Sequence, residues 1–234
     1  MPAKRAASGT ARAQAAAPAM HAVAGVDVGG NRKQCDLVIL RGTSILYRAE
    51  RVAPEALLHL CLDHDVVAVG VDSPSRWWAG DGHRPAERAL VSERISLFST
   101  PTRERALANT TGFYDWMFTG ERVYRALSDA YPLLSVPRYA GGRVCFETYP
   151  HAITCALLGK DVASAKQKRV QRKQLLASLG VDVRTLTTVD ARDAALCALT
   201  AQCVLDGRAS AYGDAEGGFI RVPMVSASDD RVAP

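Results

Sequence analysis

Apolar and polar positions along the chain change period several times, and each change marks an element. Ala22–Val28, Cys35–Leu40 and Ser44–Val52 are short β-type runs. Gly29-Gly30-Asn31 and Arg41-Gly42-Thr43 between them are turn chemistry, so the three runs predict an antiparallel meander. Residues 54–64, "PEALLHLCLDH", carry apolar positions at helical spacing behind a proline. "VVAVGVDSP" is continuously apolar and predicts a fourth strand buried on both faces, which a βαβ crossover makes parallel to a meander strand. Residues 75–138 read as a helical insertion, with Phe113, Trp116, Met117, Val123, Tyr124 and Leu127 on one stripe. "GRVCFETYP" predicts a fifth strand, followed by a helix from about His151, a basic helix over Gln167–Leu179 and an apolar helix, "DARDAALCALTAQCVLDG". The sum is an α/β domain over residues 22–223 with a mixed five-stranded sheet. Residues 1–21 are Ala/Arg-rich without hydrophobic period and predict a disordered tail, with Met20 a second possible start; residues 224–234 read as another tail.

Composition narrows the class without naming a partner. The 234 residues are 48% hydrophobic and 23% charged, ordinary for a soluble globular domain. The formal charge is +5, but Lys4, Arg5 and Arg12 lie in the N-terminal tail, and removing those three leaves +2. Six cysteines occur with no CxxC pair, mostly in apolar runs, which predicts reduced buried thiols rather than a disulfide or zinc framework. No run approaches the roughly 20 apolar residues of a membrane span. A soluble, cytoplasmic protein is expected.

The carboxylates change the picture most. Asp27 ends an otherwise apolar strand, where an unmatched charge costs several kcal/mol. Side chains alternate across a strand, so Asp27 shares a face with Gly25, Asp72 with Gly70 and Ala68, and Glu147 with Cys145. Each acid thus has a small residue at i−2, read as room for something beside it, and each lies near its strand's end. The carboxyl ends of parallel strands are where α/β sheets place their sites. Asp190 and Asp193 share a face at the start of the last helix. They also fit a bland reading, Asp190 as N-cap and Asp193 in a capping box. Several carboxylates cannot share a small space ionised unless a cation joins them. Oxygen ligands without His or Cys favour Mg²⁺ or Mn²⁺, and two such ions about 3.5–4 Å apart suit phosphodiester hydrolysis.

The order of elements, with Asp27 on strand one, Asp72 on strand four and "DARDAALCALTA" on the last helix, resembles the ribonuclease H-like superfamily, the helix being similar to that of Holliday-junction resolvases. "GVDVGGNRK", "VDSP", "ETYPHAITCALLGK", "DARDAALCALTA" and "EGGFIRVP" more narrowly resemble the family catalogued as domain of unknown function 429, described as predicted nucleases with a ribonuclease H fold. The resemblance covers most of residues 22–223. It implies that Asp27 bridges two metal ions, that Asp72 and Asp193 each hold one, and that Asp190 is a further ligand or an outer acid. Glu147 is placed beside the site as a fourth catalytic acid by the strand argument and the narrower family's motif. The implied protein is a Mg²⁺- or Mn²⁺-dependent nuclease.

Supporting groups carry two readings each. Lys168, Arg169 and Arg172 on the basic helix would track phosphates, or form a solvated face. Arg76, Trp77 and Trp78 would stack on bases, or pack as a lid. His151 would assist proton transfer, or serve a structural role at its helix start. Two rivals from other classes stand beside the nuclease. One is an ATP/phosphate site of the sugar-kinase/actin kind, which also begins strand–Asp–x–Gly–Gly but needs a longer chain. The other is a ribonuclease H-like module that binds without cleaving. The residues do not distinguish DNA from RNA or one strand from two, and carry no signature of an oligomeric state.

Overall fold

The computed structural model describes residues 20–224, so the two expected tails, 1–21 and 224–234, lie almost wholly outside the described residues. The meander forms as expected: β1 (Ala22–Val28), β2 (Cys35–Arg41) and β3 (Ser44–Val52) pair antiparallel. Helix α1 (Leu57–Asp63) then returns the chain to β4 (Val66–Asp72), which lies parallel to β1. The insertion contains α2 (Pro85–Ser92), α3 (Arg103–Leu107) and α4 (Asp115–Leu127) separated by long loops. Met117, Val123 and Leu127 of α4 are buried as the stripe predicts, but Phe113 precedes the helix and is 57% exposed. After β5 (Val144–Thr148) come α5 (Pro150–Leu158), α6 (Lys168–Ser178) and α7 (Val189–Leu205).

The sheet has seven strands, not five. β6 (Ala209–Asp214) and β7 (Gly218–Pro223) form a hairpin whose inner strand joins β5 in parallel, giving the order β3-β2-β1-β4-β5-β7-β6. Neither strand shows a clear period. β6 is an edge strand, half-buried along most of its length. β7 is wholly buried yet contains an arginine. The Arg221 guanidinium donates to the main-chain carbonyls of Pro137 (2.9 Å), Leu134 (3.2 Å) and Val136, so its charge is solvated by backbone that the sequence does not advertise.

Helices cover both faces. On one, α6 and α7 pack on Val23, Val38, Ala68 and Phe146. On the other, α1 and α4 cover Ala24, Val26, Leu37, Val69, Val71 and Cys145. Five of the six cysteines are buried and all six are free thiols. Among the described residues no helix is long and apolar enough to cross a membrane.

Candidate metal centre

The site begins with the pairing of β1 and β4. The register sets Gly25 against Gly70 and Asp27 against Asp72, so both aspartates stand side by side at the carboxyl ends of adjacent parallel strands. Alternation puts them on the face that also carries Val23 and Ala68, the face that α7 covers.

The small residues two positions earlier act differently from the expectation. They do not leave space for a ligand, because α7 fills it. A Cβ at Gly25 would overlap the Ala194 carbonyl oxygen and the Ala198 nitrogen, and one at Gly70 would lie 2.6 Å from the Cys197 carbonyl oxygen. Glycine on the strands and alanine on the helix let the two backbones touch. That close approach carries Asp193, in the second turn of α7, up to the two strand acids. One carboxylate oxygen from each of Asp27, Asp72 and Asp193 lies within 4.8 Å of the others.

Asp190 is not the N-cap. Thr188 caps α7, its hydroxyl accepting from the Ala191 N–H at 3.0 Å, which leaves Asp190 free to ion-pair with Lys33. Lys33 sits in the turn after β1, where the Gly29 N–H donates to the Gln34 carbonyl at 2.7 Å.

Burial is the main cause that raises all three acids, and mutual repulsion adds to it for Asp27 and Asp72. Asp27 is held well above the ordinary carboxylate range by burial, then by Asp72, Asp193 and Asp190, with Lys33 opposing. Burial and Asp193 push Asp72 up to about 8, against Arg172. Burial raises Asp193 to about 7 although Arg172 and Lys168 oppose it. Asp193 Oδ2 is ion-paired with the Arg172 guanidinium, and its Oδ1 is buried without a partner. An orphaned carboxylate oxygen beside two further, half-buried carboxylates is a donor set suited to a hard divalent cation.

These shifts set a pH dependence. Between the unfolded and folded values the native state holds protons that the unfolded chain has released, so stability falls as pH rises through this window. In chelator, the melting temperature is expected to be higher at pH 5 than at pH 8, Asp193 and Asp72 giving up their share of the stability as pH rises through their folded values of about 7 and 8. Added Mg²⁺ should restore stability at pH 8. Thermal melts with and without the ion check this; a chelated protein that is equally stable at both pH values contradicts it.

Of the four acids expected to be catalytic, Asp27, Asp72 and Asp193 come together and Glu147 does not. Glu147 pairs in register with Val71 and, like Cys145, points to the opposite face of the sheet. Its oxygens accept from Arg84 Nη1 (3.0 Å) and Nη2 (2.5 Å) and from the Ser75 N–H (2.8 Å). The i−2 rule for strands holds within one strand; only the register between strands tells whether two acids share a face.

The predicted nucleic-acid contacts also separate. Lys168 and Arg169 are exposed on α6, whereas Arg172 is buried against Asp193. Arg76 donates to the carbonyls of Ala215 (3.1 Å) and Glu216 (2.8 Å) and so ties the strand end to the β6–β7 turn. Trp77 packs on Phe118 with ring centroids 5.0 Å apart. His151 is half-buried with Cys155 Sγ 3.7 Å from its Nε2, and burial lowers its pKa. Lys33 and Arg84 were not anticipated. Lys33 was legible as a cation in the turn just behind Asp27; Arg84 lies in a polar loop with nothing to mark it.

A mixed α/β sheet flanked by helices, with three carboxylates converging at its strand ends, defines the class. Residues 25–217 match the family described as protein of unknown function (DUF429), and the chain belongs to it. Among solved structures the chain is similar to Thermus thermophilus RuvC at 17% identity, with a TM-score of 0.42, covering 80% of this chain and 96% of that one. No curated protein matches.

Proposed function

We propose that the protein is a Mg²⁺- or Mn²⁺-dependent hydrolase of nucleic-acid phosphodiester bonds, working with two ions in a single ribonuclease H-like domain over residues 22–223. The observation that carries this is the convergence of Asp27, Asp72 and Asp193, oxygens within 4.8 Å, from two strands and a helix remote in sequence. The antiparallel β1–β3 meander continued by parallel β4 and β5 is in keeping with that fold.

In this reading Asp27, Asp72 and Asp193 would together hold the two ions, with Asp27 the carboxylate shared between them. Asp190, a turn away and tied to Lys33, serves as an outer acid. Two bound divalent ions would supply the positive charge that the attacked phosphoryl group and its leaving oxygen require. The protein's own groups do the positioning. Arg172 fixes the Asp193 carboxylate so that one oxygen stays directed at the trio. Glu147 accepts from Ser75 and Tyr124 donates to the Ser73 carbonyl at 2.8 Å, which holds the end of β4 and hence Asp72 in place. Exposed Lys168 and Arg169 lie on the helix beside Asp193 and contact flanking phosphates. Six free thiols accord with a reducing, cytoplasmic setting.

Titration of the metal-free protein with Mn²⁺, followed by calorimetry and by cleavage of end-labelled DNA and RNA, tests the reading. Saturable binding that Asp193→Asn weakens by more than tenfold is expected, with cleavage appearing over the same concentration range. Absence of Mn²⁺ binding, or binding indifferent to that substitution, rules the reading out.

A further inference from the structure

The insertion between β4 and β5 builds a groove that the acid trio does not use. It is lined by Trp78, Gly80, Phe98, Pro101, Arg105 and Tyr114 and has a volume of about 270 Å³. Phe98 also lines a smaller cavity of about 70 Å³ that reaches Asp72 and Ser73. Phe98 is thus shared by the groove and the cavity at Asp72.

Phe98 is 37% exposed. It is held by Phe113, Tyr114 and Trp116, with ring centroids 5.7, 5.9 and 5.8 Å away, so its position is fixed while a face stays open. The Trp78 indole N–H in the wall is a buried donor without an acceptor, and so is the Ser73 hydroxyl in the smaller cavity. Arg105 is exposed and its guanidinium has no ion-pair partner among the described residues, while nearby Arg103 is paired with Glu121. A supported, partly open ring, an uncommitted cation and an orphaned indole donor in one groove match the chemistry of an unstacked base followed by its phosphate.

We infer that this groove binds a single-stranded stretch of nucleic acid leading away from the scissile phosphate, with a base stacked on Phe98 and the adjoining phosphate on Arg105. The inference rests on the hydrolase reading above and supplies its substrate class. In a duplex each base face is covered by its neighbours and cannot reach a ring inside a groove, so continuous duplex is excluded from this path.

The test measures fluorescence anisotropy of the full chain, in Ca²⁺, with labelled oligothymidylate, oligouridylate and a hairpin duplex. Both single strands, or one of them, should bind at least tenfold more tightly than the duplex. Phe98→Ala and Arg105→Ala should each weaken that binding about tenfold; exposed Arg105→Ala leaves the melting temperature unchanged, and Phe98→Ala, which gives up ring contacts to Phe113, Tyr114 and Trp116, melts lower but stays folded at the assay temperature. Equal or tighter binding of duplex, or single-strand affinity unmoved by both substitutions, overturns the groove. If metal-dependent cleavage persists in that case, the acid centre keeps its assignment; failure to bind or cleave any nucleic acid removes both.

Discussion

Replacing Asp27 with Asn is expected to abolish divalent-dependent cleavage and, in the same protein, to raise the melting temperature measured in chelator. The two effects have one cause. Asp27 is half-buried, desolvated and repelled by Asp72, Asp193 and Asp190, so in the absence of a cation its charge opposes folding. The neutral amide keeps the shape and removes the repulsion; each kcal/mol relieved is worth about 2–4 °C in a domain of this size. The amide also cannot bridge cations as a carboxylate does. Its removal should cost more than the roughly 10–100-fold that losing an outer partner costs a metal site. Activity against a labelled oligonucleotide and a thermal melt in chelator read the two effects from one preparation. A variant that retains wild-type cleavage, or that melts lower than wild type without metal, would exclude the role given to Asp27.

The second large effect is expected at Gly25, which has no functional group at all. A valine there meets the backbone of α7 at Ala194 and Ala198, and main chain cannot rotate out of the way as a side chain can. Either the helix lifts or the strand bends. Overpacking of this kind costs about 3 kcal/mol, a fall of roughly 6–12 °C. The lifted helix takes Asp193 with it, so Mn²⁺ affinity should drop even in the fraction that remains folded. Gly30→Ala is the matched control, since a Cβ there lies 3.4 Å from the Asp115 Cβ in ordinary contact. Calorimetric Mn²⁺ binding and melting of both variants decide the matter. If Gly25→Val binds Mn²⁺ like wild type, the glycine does not set the height of the helix.

Much of this arrangement could be read from the chain, and the reasons are local. The meander, β4 and α7 each have a strong period or a continuous apolar run, and Asp27, Asp72 and Asp193 sit at recognisable strand ends or helix starts. The β6–β7 hairpin was illegible because its outer strand is half-wet and its inner strand contains Arg221, whose partners are carbonyls 84 to 87 residues earlier. Glu147 was misplaced because facing is decided by the β4–β5 register, a relation between strands. Arg172 read as a surface phosphate contact because charge in an amphipathic helix normally faces water; here Asp193 draws it inward. The glycines were noticed for a sound reason and given the wrong one, since space beside an acid and contact with a helix leave the same trace in sequence.

The buried cluster beneath the insertion bears on how the molecule comes apart. Arg84, 1% exposed, is shared between Glu87 and Glu147, and Glu87 also accepts from the Thr100 hydroxyl and N–H. The cluster spans α2, the following loop and β5. Partial detachment of the insertion would strand one charge of this group in an apolar setting, a cost of several kcal/mol. Fraying from that side is thereby suppressed: the arm that bears the aromatic groove and the sheet that bears the acids melt as one cooperative unit, and a protease should find no early nick between them.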